Sequence, residues 1–268
     1  MNFSEILFVS DYDNTLTGER HLVPQENIEA IRAFAEAGGA FTIASGRGKR
    51  EWRESFEGVP VNAPFILGNG AVIYDSVADE VLWSSFIAEE TQRKIIEMFD
   101  TLPEDCLVLI ETVDRVYVPD EIYDRLSRTP IPFGEQLHPA LQQIPVPWTK
   151  VTLASVELKP ETMDLVQQEL DRYGLSSIRS LPIMYEIAPE NVDKGRSARR
   201  LMEMMGRRFL VAIGDAPNDL AMLAAADLAF VPEGSLLAED PTFTLQHVRT
   251  VPCEQCAVAD AIRILKTM

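Results

Sequence analysis

Three observations predict an α/β protein whose parallel-sheet core is interrupted by an inserted α+β segment. Strand-like apolar runs alternate with helical patterns near both ends of the chain, whereas the middle carries strand-like runs joined by short turns. Polar residues follow several strands of the two end segments, where parallel sheets usually form their sites. We therefore predict one core built from residues 1–80 and 188–268, with an inserted domain over residues 81–187.

The first end segment alternates between strands and helices. The predicted elements are strands at Ile6–Ser10, Ala40–Ala44, Phe65–Leu67 and Ala71–Tyr74, and helices at Pro24–Ala37 and Lys49–Phe56. Proline in the first turn and glycine just after the last turn are typical boundaries of the first helix. This alternation is typical of a Rossmann-like parallel sheet with covering helices.

The middle segment has a different pattern. Its predicted strands are Val81–Ile87, Leu107–Glu111, Arg115–Val118, Thr149–Leu158, Ser177–Leu181 and Met184–Ile187, and its predicted helices are Glu89–Asp100, Asp120–Ser127 and Glu161–Tyr173. Short connections at 111–114 and 181–182 predict hairpins and hence an antiparallel sheet. A proline-rich stretch over 129–147 predicts a loop with at most one short helix.

Alternation then returns in the last segment. The predicted helices are Lys194–Met205, Pro217–Ala225 and Cys256–Thr267, and the predicted strands are Phe209–Ile213, Leu228–Val231 and a further one at Thr242–Gln246. The simplest account is a single α/β core assembled from both ends of the chain.

The composition narrows the classes of function. The chain has 268 residues and a formal net charge of −18, which argues against nucleic-acid binding because phosphate neutralisation requires a basic face. No apolar stretch approaches a membrane span, and the short apolar run near the N-terminus is unlike a secretory signal. Three cysteines cannot form a disulfide framework. The lone Cys253-x-x-Cys256 pair is half a zinc site without a second pair and is interpreted as a chance pattern, with a metal or redox role as the alternative. We predict a cytoplasmic protein without nucleic-acid or membrane partners.

Four polar clusters fall at or near predicted strand ends. They are Asp11 with Asp13, the Ser45–Arg47 turn, Asp215 with Asn218 and Asp219, and Lys194 at the start of a helix. Carboxylates converging on one edge of a sheet would repel each other, and a divalent cation removes that cost. Hard oxygen ligands of this kind suit Mg²⁺, which takes a few carboxylates together with a substrate phosphate.

Other phosphate and metal motifs do not fit. A calcium-binding EF-hand loop beginning at Asp11 would meet Leu16 and Leu22 where it needs Gly and Glu. A P-loop ending at Lys49 would meet Ile43 in place of its first glycine.

Four stretches in this order, "DYDNTLT", "TIASGR", "DKGRSARRL" and "GDAPNDLAML", resemble the four motifs of the haloacid dehalogenase-like hydrolase superfamily. The inserted segment and the stretch "LGNGAVIYD" resemble its Cof-type sugar-phosphatase branch, in which such an insert is a C2-type cap. The resemblance covers nearly the whole chain. Two departures, Asn14 and Ala216-Pro217, affect loop shape and leave every catalytic group in place.

The resemblance implies a set of roles. Asp11 would be the nucleophile that forms an aspartyl-phosphate, Asp13 the acid and base, and Lys194 the neutralising cation. Asp11, Asp215, Asp219 and the backbone carbonyl of Asp13 would hold Mg²⁺. Phosphate and substrate would meet the following residues: Thr15 (which would brace Asp13 or the loop), Ser45, Gly46, Arg47, Asn69 and Asn218.

Some of these roles have plainer alternatives. Arg47 is equally explained as an ion-pair partner, Asn69 as a turn residue, and Gly46 as the glycine of a tight turn.

The function predicted from sequence is a Mg²⁺-dependent phosphatase acting on small phosphorylated metabolites, sugar phosphates above all. The inserted domain is expected to set substrate specificity. A phosphomutase of the same superfamily, or a non-catalytic protein that binds phosphorylated metabolites, are the alternatives. The oligomeric state and the individual substrate are not fixed by the sequence.

Overall fold

A computed structural model of the chain describes residues 2–17, 22–50, 55–126, 136–245, 247–251 and 256–268. The chain divides into two compact units. The first unit comprises Met1–Arg47, Trp52–Trp83 and Val192–Met268, and the second comprises Gly48–Glu51 and Ser84–Asn191. Among the described residues, no helix has both the length and the apolar character required to cross a membrane.

The first unit is built on a five-stranded parallel sheet, which confirms the predicted α/β class. Its strands lie in the order β13-β12-β11-β1-β2. Their bounds are β1 Ile6–Ser10, β2 Ala40–Ile43, β11 Phe209–Ile213, β12 Leu228–Pro232 and β13 Val248–Val251. Five helices of this unit are α1 Gln25–Glu36, α5 Lys194–Met204, α6 Leu220–Ala225, α7 Leu236–Glu239 and α8 Ala257–Thr267.

Both faces of this sheet are covered, which explains why β1 is apolar throughout. Leu7 and Val9 of β1 belong to the core cluster that includes Leu201 of α5. The ring of Phe8 meets that of Phe34 in α1, with centroids 6.0 Å apart. Every residue of β1 is buried, as expected of a central strand in a parallel sheet.

A small second sheet in the same unit corrects one prediction. Its strands β3 Phe65–Leu67, β4 Val72–Asp75 and β5 Glu80–Ser84 lie in that order. The predicted strand Val81–Ile87 is therefore shorter, and it joins β4 rather than the antiparallel sheet of the middle segment. The short connection from β4 explains this pairing, because sequential strands usually lie side by side.

Two elements predicted for the end segments differ from the structure over its described residues. No strand forms over the described part of Thr242–Gln246, because the Asp240 carboxylate accepts hydrogen bonds from the backbone and hydroxyl of Thr242 and bends the chain. Of the predicted helix Lys49–Phe56, residues 51–54 lie outside the described residues, and Lys49 and Arg50 form a turn. Cys253 also lies outside them, while Cys256 precedes α8.

The second unit contains a five-stranded sheet in which the strands lie in the order β7-β6-β8-β10-β9. Their bounds are β6 Cys106–Glu111, β7 Val116–Tyr117, β8 Lys150–Ser155, β9 Ile178–Leu181 and β10 Met184–Ile187. Each neighbouring pair is antiparallel. The helices are α2 Glu89–Met98, α3 Asp120–Arg125 and α4 Pro160–Tyr173, and the proline-rich stretch contains a short 3₁₀ helix at Leu141–Gln143.

The core of this second unit combines an apolar cluster with a buried ion cluster. Ile95 of α2 and Val166 of α4 pack in the same cluster as Leu153 of β8. Lys150 of β8 lies 3.0 Å from a carboxylate oxygen of Glu111 and 3.0 Å from one of Glu186. Burial lowers the pKa of Lys150, but the two glutamates outweigh that effect and raise it.

Candidate active site

The carboxyl ends of β1 and β11 bring the first and last acidic motifs to one edge of the sheet. Ser10 at the end of β1 lies in register with Ile213 at the end of β11. Asp11 continues this pairing, because its N–H donates to the Ile213 carbonyl at 2.9 Å. Asp215 follows Ile213 by two residues, so its carboxylate emerges at the same edge as Asp11.

A cluster of three buried carboxylates results. One oxygen from each of Asp11, Asp215 and Asp219 lies within 4.8 Å of the others. Lys194 is completely buried among them, with its Nζ 2.5 Å from Asp11 Oδ1 and 2.7 Å from Asp219 Oδ1. Among the described residues, Lys194 is the cation that contacts this cluster, so three carboxylates outnumber one ammonium when all are ionised.

Lys194 reaches this position because it is the first residue of α5. Asp193 precedes it as the helix cap, and its carboxylate accepts a hydrogen bond from the Arg196 N–H at 2.7 Å. Behind Lys194, Gly195 packs directly on α6, since a Cβ there would lie 2.1 Å from the Ala221 carbonyl oxygen. The direction of the lysine is therefore fixed by helix packing.

Asp219 holds the last motif together. Its Oδ2 accepts hydrogen bonds from the backbone N–H groups of Asp215 and Ala216 at 3.1 and 3.2 Å. Gly214 permits this close approach, because a Cβ at that position would lie 2.5 Å from the Asp219 Cβ. The same carboxylate thus shapes the loop and contacts Lys194 through its other oxygen.

The ionisation of the cluster reflects its burial and its charge. Burial raises the pKa of Asp11 well above its usual value, the charge of Asp219 raises it further, and Lys194 opposes both effects. Burial and the charge of Asp219 also raise the pKa of Asp215 to about 6. Burial lowers the pKa of Lys194, but the carboxylates of Asp11 and Asp219 outweigh it and raise that pKa.

Thr15 braces the carboxylate of Asp215, whereas the resemblance implied that it would brace Asp13 or the loop. Its hydroxyl is buried and donates to Asp215 Oδ1 at 2.6 Å. The first-motif loop turns back so that Leu16 and Thr17 both donate their N–H groups to the Tyr12 carbonyl. Thr15 is thereby directed to the end of β11 and away from Asp13.

The second motif meets the turn after β3. Ser45 is buried, and its carbonyl accepts a hydrogen bond from the Asn69 N–H at 3.0 Å. A Cβ on Gly46 would lie 3.2 Å from the Asn69 side-chain oxygen, so glycine permits the two turns to lie close. Asn69 itself has a φ of 53°, a left-handed conformation that asparagine tolerates better than most residues.

The carboxylate of Asp13 is not one of the three clustered groups and is paired with Arg47. Two hydrogen bonds join them, from Nε to Oδ2 at 3.2 Å and from Nη2 to Oδ1 at 2.7 Å. Both side chains are partly exposed. Asn218 is also partly exposed, in the short 3₁₀ helix Pro217–Asp219 that precedes α6.

Three residues that the sequence did not single out support these loops. Tyr12 and Ser55 flank the Arg47 side chain. Asn27 of α1 is fully buried, and its amide donates to the Leu16 carbonyl at 3.0 Å while its oxygen accepts from the Ala259 N–H at 2.9 Å. A polar residue amid the apolar pattern of α1 was the available signal for Asn27.

The donor set fits a hard divalent cation. Carboxylate oxygens are the ligands that Mg²⁺ prefers, and the cluster has fewer positive charges than it needs for neutrality. The raised pKa values of Asp11 and Asp215 arise first from burial and then from the charge of Asp219, and a bound cation would oppose both effects. Asp11, Asp215 and Asp219 are thus the residues that could hold the metal.

The family follows from comparison with known proteins. Residues 8–231 match the family model described as haloacid dehalogenase-like hydrolase, so the chain belongs to that family. It is 23% identical to a 5-amino-6-(5-phospho-D-ribitylamino)uracil phosphatase of Bacillus subtilis, over 87% of this chain and 90% of that protein. It is 25% identical to phosphoglycolate phosphatase 2 of Saccharolobus solfataricus, over 84% of this chain and 78% of that protein.

Solved structures share the fold. A subclass IIB sugar phosphatase of the same superfamily superposes with a TM-score of 0.77 at 18% identity, covering 98% of this chain and 99% of its own. A hydrolase from Bacteroides thetaiotaomicron superposes with a TM-score of 0.75 at 20% identity, covering 97% and 98% of the two chains. The resemblance to this superfamily is confirmed, and the chain is a phosphoric monoester hydrolase of the haloacid dehalogenase-like type.

Proposed function

We propose that the protein is a Mg²⁺-dependent phosphatase of small phosphorylated metabolites, sugar phosphates in particular, acting through an aspartyl-phosphate on Asp11. The observation that carries the proposal is the buried cluster in which Lys194 contacts Asp11 and Asp219 beside Asp215. The names of relatives are in keeping with it, because they include a ribitylaminouracil phosphate phosphatase and a phosphoglycolate phosphatase. Both names describe small phosphate esters.

In the first step, a carboxylate oxygen of Asp11 attacks phosphorus and the bond from phosphorus to the leaving oxygen breaks. Asp13 gives its proton to that oxygen, so an alcohol departs and Asp13 becomes a carboxylate. Lys194 lies 2.5 Å from Asp11, where its positive charge offsets the charge shared by the nucleophile and the phosphoryl group. The Ser45 hydroxyl and Asn218 are proposed to bind the phosphoryl oxygens.

In the second step, the Asp13 carboxylate removes a proton from water, whose oxygen attacks the phosphorus of the aspartyl-phosphate. The bond from phosphorus to Asp11 breaks, inorganic phosphate leaves, and both aspartates return to their starting forms. Two easier displacements thus replace one difficult hydrolysis. When bound by Asp11, Asp215, Asp219 and the Asp13 carbonyl, Mg²⁺ supplies Lewis-acid stabilisation of phosphoryl charge.

The remaining parts of the proposal concern the cellular location of the protein and its substrate selectivity. We assign substrate selectivity to the inserted segment, which stays a prediction, as does a cytoplasmic location. A high negative charge of −18 disfavours nucleic acid as a substrate. Exchange of residues 84–191 for those of a relative with a different preference tests the first point, because the ranking among substrates should follow the exchanged segment.

A panel of phosphate esters tests the proposed reaction. We expect Mg²⁺-dependent release of phosphate from sugar phosphates, loss of release in chelator, and recovery on adding Mg²⁺. Asp11→Asn should lower turnover at least about 100-fold, since the amide is nearly isosteric but a poor nucleophile. Acid quench and borohydride reduction during turnover should convert Asp11 to homoserine in the wild type and leave the Asn variant unlabelled.

Other outcomes would contradict the proposal. An isomeric sugar phosphate formed without net release of phosphate would indicate a phosphomutase. Binding of esters without turnover under any condition would indicate a binding protein. Full activity in excess chelator would exclude the metal-dependent mechanism, and turnover by Asp11→Asn within tenfold of wild type would exclude the assigned nucleophile.

A further inference from the structure

We propose that Arg47 is a positioning residue that holds the Asp13 carboxylate in place for proton transfer, rather than a residue that binds substrate phosphate. The inference rests on the proposed function, because it requires Asp13 to act as acid and base. It is drawn from the contacts of Arg47 within the first unit. The Arg47 side chain contacts Asp13, Tyr12 and Ser55.

The contact with Asp13 is a two-point one. Arg47 Nε lies 3.2 Å from Asp13 Oδ2, and Nη2 lies 2.7 Å from Oδ1. A planar guanidinium paired in this way fixes the orientation of a carboxylate as well as its charge. Among the described residues, Arg47 is the one side chain that contacts the Asp13 carboxylate.

Tyr12 and Ser55 contact the guanidinium of Arg47 in addition to Asp13. Its central carbon lies 5.5 Å from the centroid of the Tyr12 ring, and Nη1 donates to the Ser55 hydroxyl at 3.3 Å. Tyr12 is buried, its ring packs against Phe56 at 4.6 Å between centroids, and its hydroxyl donates to the Ser55 carbonyl. Tyr12 and Ser55 therefore form a fixed support for Arg47.

The backbone of Arg47 is anchored as well. Its N–H donates to the Ser45 hydroxyl oxygen at 3.1 Å, and its carbonyl accepts from the Gly68 N–H at 3.0 Å. The side chains of Asp13 and Arg47 are exposed to a similar extent, 39% and 36%. An exposed carboxylate rotates readily, and proton transfer needs its oxygen at hydrogen-bond distance from the leaving oxygen and then from water. The anchored arginine supplies the missing restraint.

These contacts distinguish between two roles of Arg47 that the sequence leaves open, the binding of substrate phosphate and the positioning of Asp13. A phosphate-binding arginine directs its donors to the phosphate, so its loss raises KM. Three nitrogens of Arg47 instead contact Asp13 and Ser55. Loss of a positioning arginine should lower kcat and should do so through Asp13 alone.

A double-mutant cycle tests the proposal with Arg47→Gln, Asp13→Asn and the double variant. The probes are phenyl phosphate and p-nitrophenyl phosphate, which have similar shapes but leaving groups of different basicity. We expect Arg47→Gln to lower kcat on phenyl phosphate at least about tenfold, with a smaller loss on p-nitrophenyl phosphate and a KM change below about threefold. In the Asp13→Asn background, Arg47→Gln should change kcat less than about twofold.

Arg199 provides a matched control. It forms a similar two-point pair with Asp227 at 2.8 and 3.1 Å, and the exposures of 35% and 31% resemble the 36% and 39% of the Arg47 pair. Arg199→Gln should leave kcat on both esters within twofold of wild type. Arg47→Lys, which keeps the charge but loses the planar fork, should recover less than half of the lost kcat and provides a second variant if Arg47→Gln folds poorly.

Two outcomes would overturn the proposal, and they are distinguishable. If Asp13→Asn is impaired and Arg47→Gln lowers kcat/KM by the same factor in both backgrounds, mainly through KM, Arg47 contacts substrate and only the positioning role is wrong. If Asp13→Asn retains wild-type kcat on phenyl phosphate, the acid–base assignment is wrong and the positioning role falls with it.

Discussion

The buried carboxylates predict an unusual pH dependence for the metal-free protein. Asp215 has a pKa of about 6, raised mainly by burial from an ordinary value of 3.8. Between these two pH values the folded state binds more protons at this group than the unfolded state does. The free energy of unfolding therefore falls as pH rises from about 4 to about 6.

The size of the effect follows from the shift. A pKa difference of about two units corresponds to about 3 kcal/mol at about 1.36 kcal/mol per unit. Below pH 4 Asp215 is protonated in both the folded and the unfolded state, so its ionisation does not reduce the free energy of unfolding. Above pH 6 Asp215 is ionised in both states, and the free energy of unfolding is reduced by the full amount. Saturating Mg²⁺ should restore stability most at pH 7 and little at pH 4, because the cation binds the ionised carboxylates.

Urea unfolding followed by circular dichroism, in metal-free buffers from pH 4 to 7, provides the measurement. The Asp215→Asn variant is the control, since its amide oxygen can still accept the Thr15 hydrogen bond but does not titrate. The difference in stability between wild type and variant should change by about 3 kcal/mol across the range. A difference that stays constant within about 0.5 kcal/mol would refute the assigned burial and charge of this site.

Three substitutions test the packing that supports the site and the second unit, each by urea unfolding in saturating Mg²⁺. Asn27→Ala leaves two buried backbone groups without their partner and should cost about 2–5 kcal/mol; an unchanged midpoint would contradict that role. Gly195→Ala should cost about 1–3 kcal/mol through overlap with Ala221 of α6 and should also lower kcat; wild-type stability would mean that the helices shift easily. Lys150→Met should cost about 3–5 kcal/mol by stranding two buried carboxylates, and a loss below 1 kcal/mol would show that they are not stabilised by the lysine.

What the sequence could predict was local. An apolar run such as Ile6–Val9 followed by Asp11 and Asp13 identifies a buried strand with acids at its end, and the parallel sheet is confirmed. The strand Phe209–Ile213 was predicted with the bounds that the structure has, for the same reason. In both places a short run of consecutive apolar residues carries the signal for the strand.

Contacts between residues far apart in the sequence could not be predicted from such local patterns. Asn27 bonds to Ala259 across 232 positions and Thr15 reaches Asp215 across 200, and the sequence around these residues does not show that they pair. The expected strand at 242–246 failed for another reason, because a single side chain, Asp240, competes for the backbone of Thr242. Pairing choices of this kind depend on which groups meet in space, so periodicity does not reveal them.

Among the described residues, the site has more carboxylates than cations, and the proposed reaction at Asp11 offers a reason for this excess. A second lysine beside Asp11 would stabilise the metal-free fold, but it would also hold the attacking oxygen of Asp11 in a strong ion pair. Burial and the charge of Asp219 raise the pKa of Asp11 against the effect of Lys194, which disfavours the ionised form that the proposed nucleophile needs. In the proposed reaction, a divalent cation bound by the cluster would favour the ionised form of Asp11. The burial and close approach of three carboxylates thus bear on both the stability of the metal-free cluster and the proposed reactivity of Asp11.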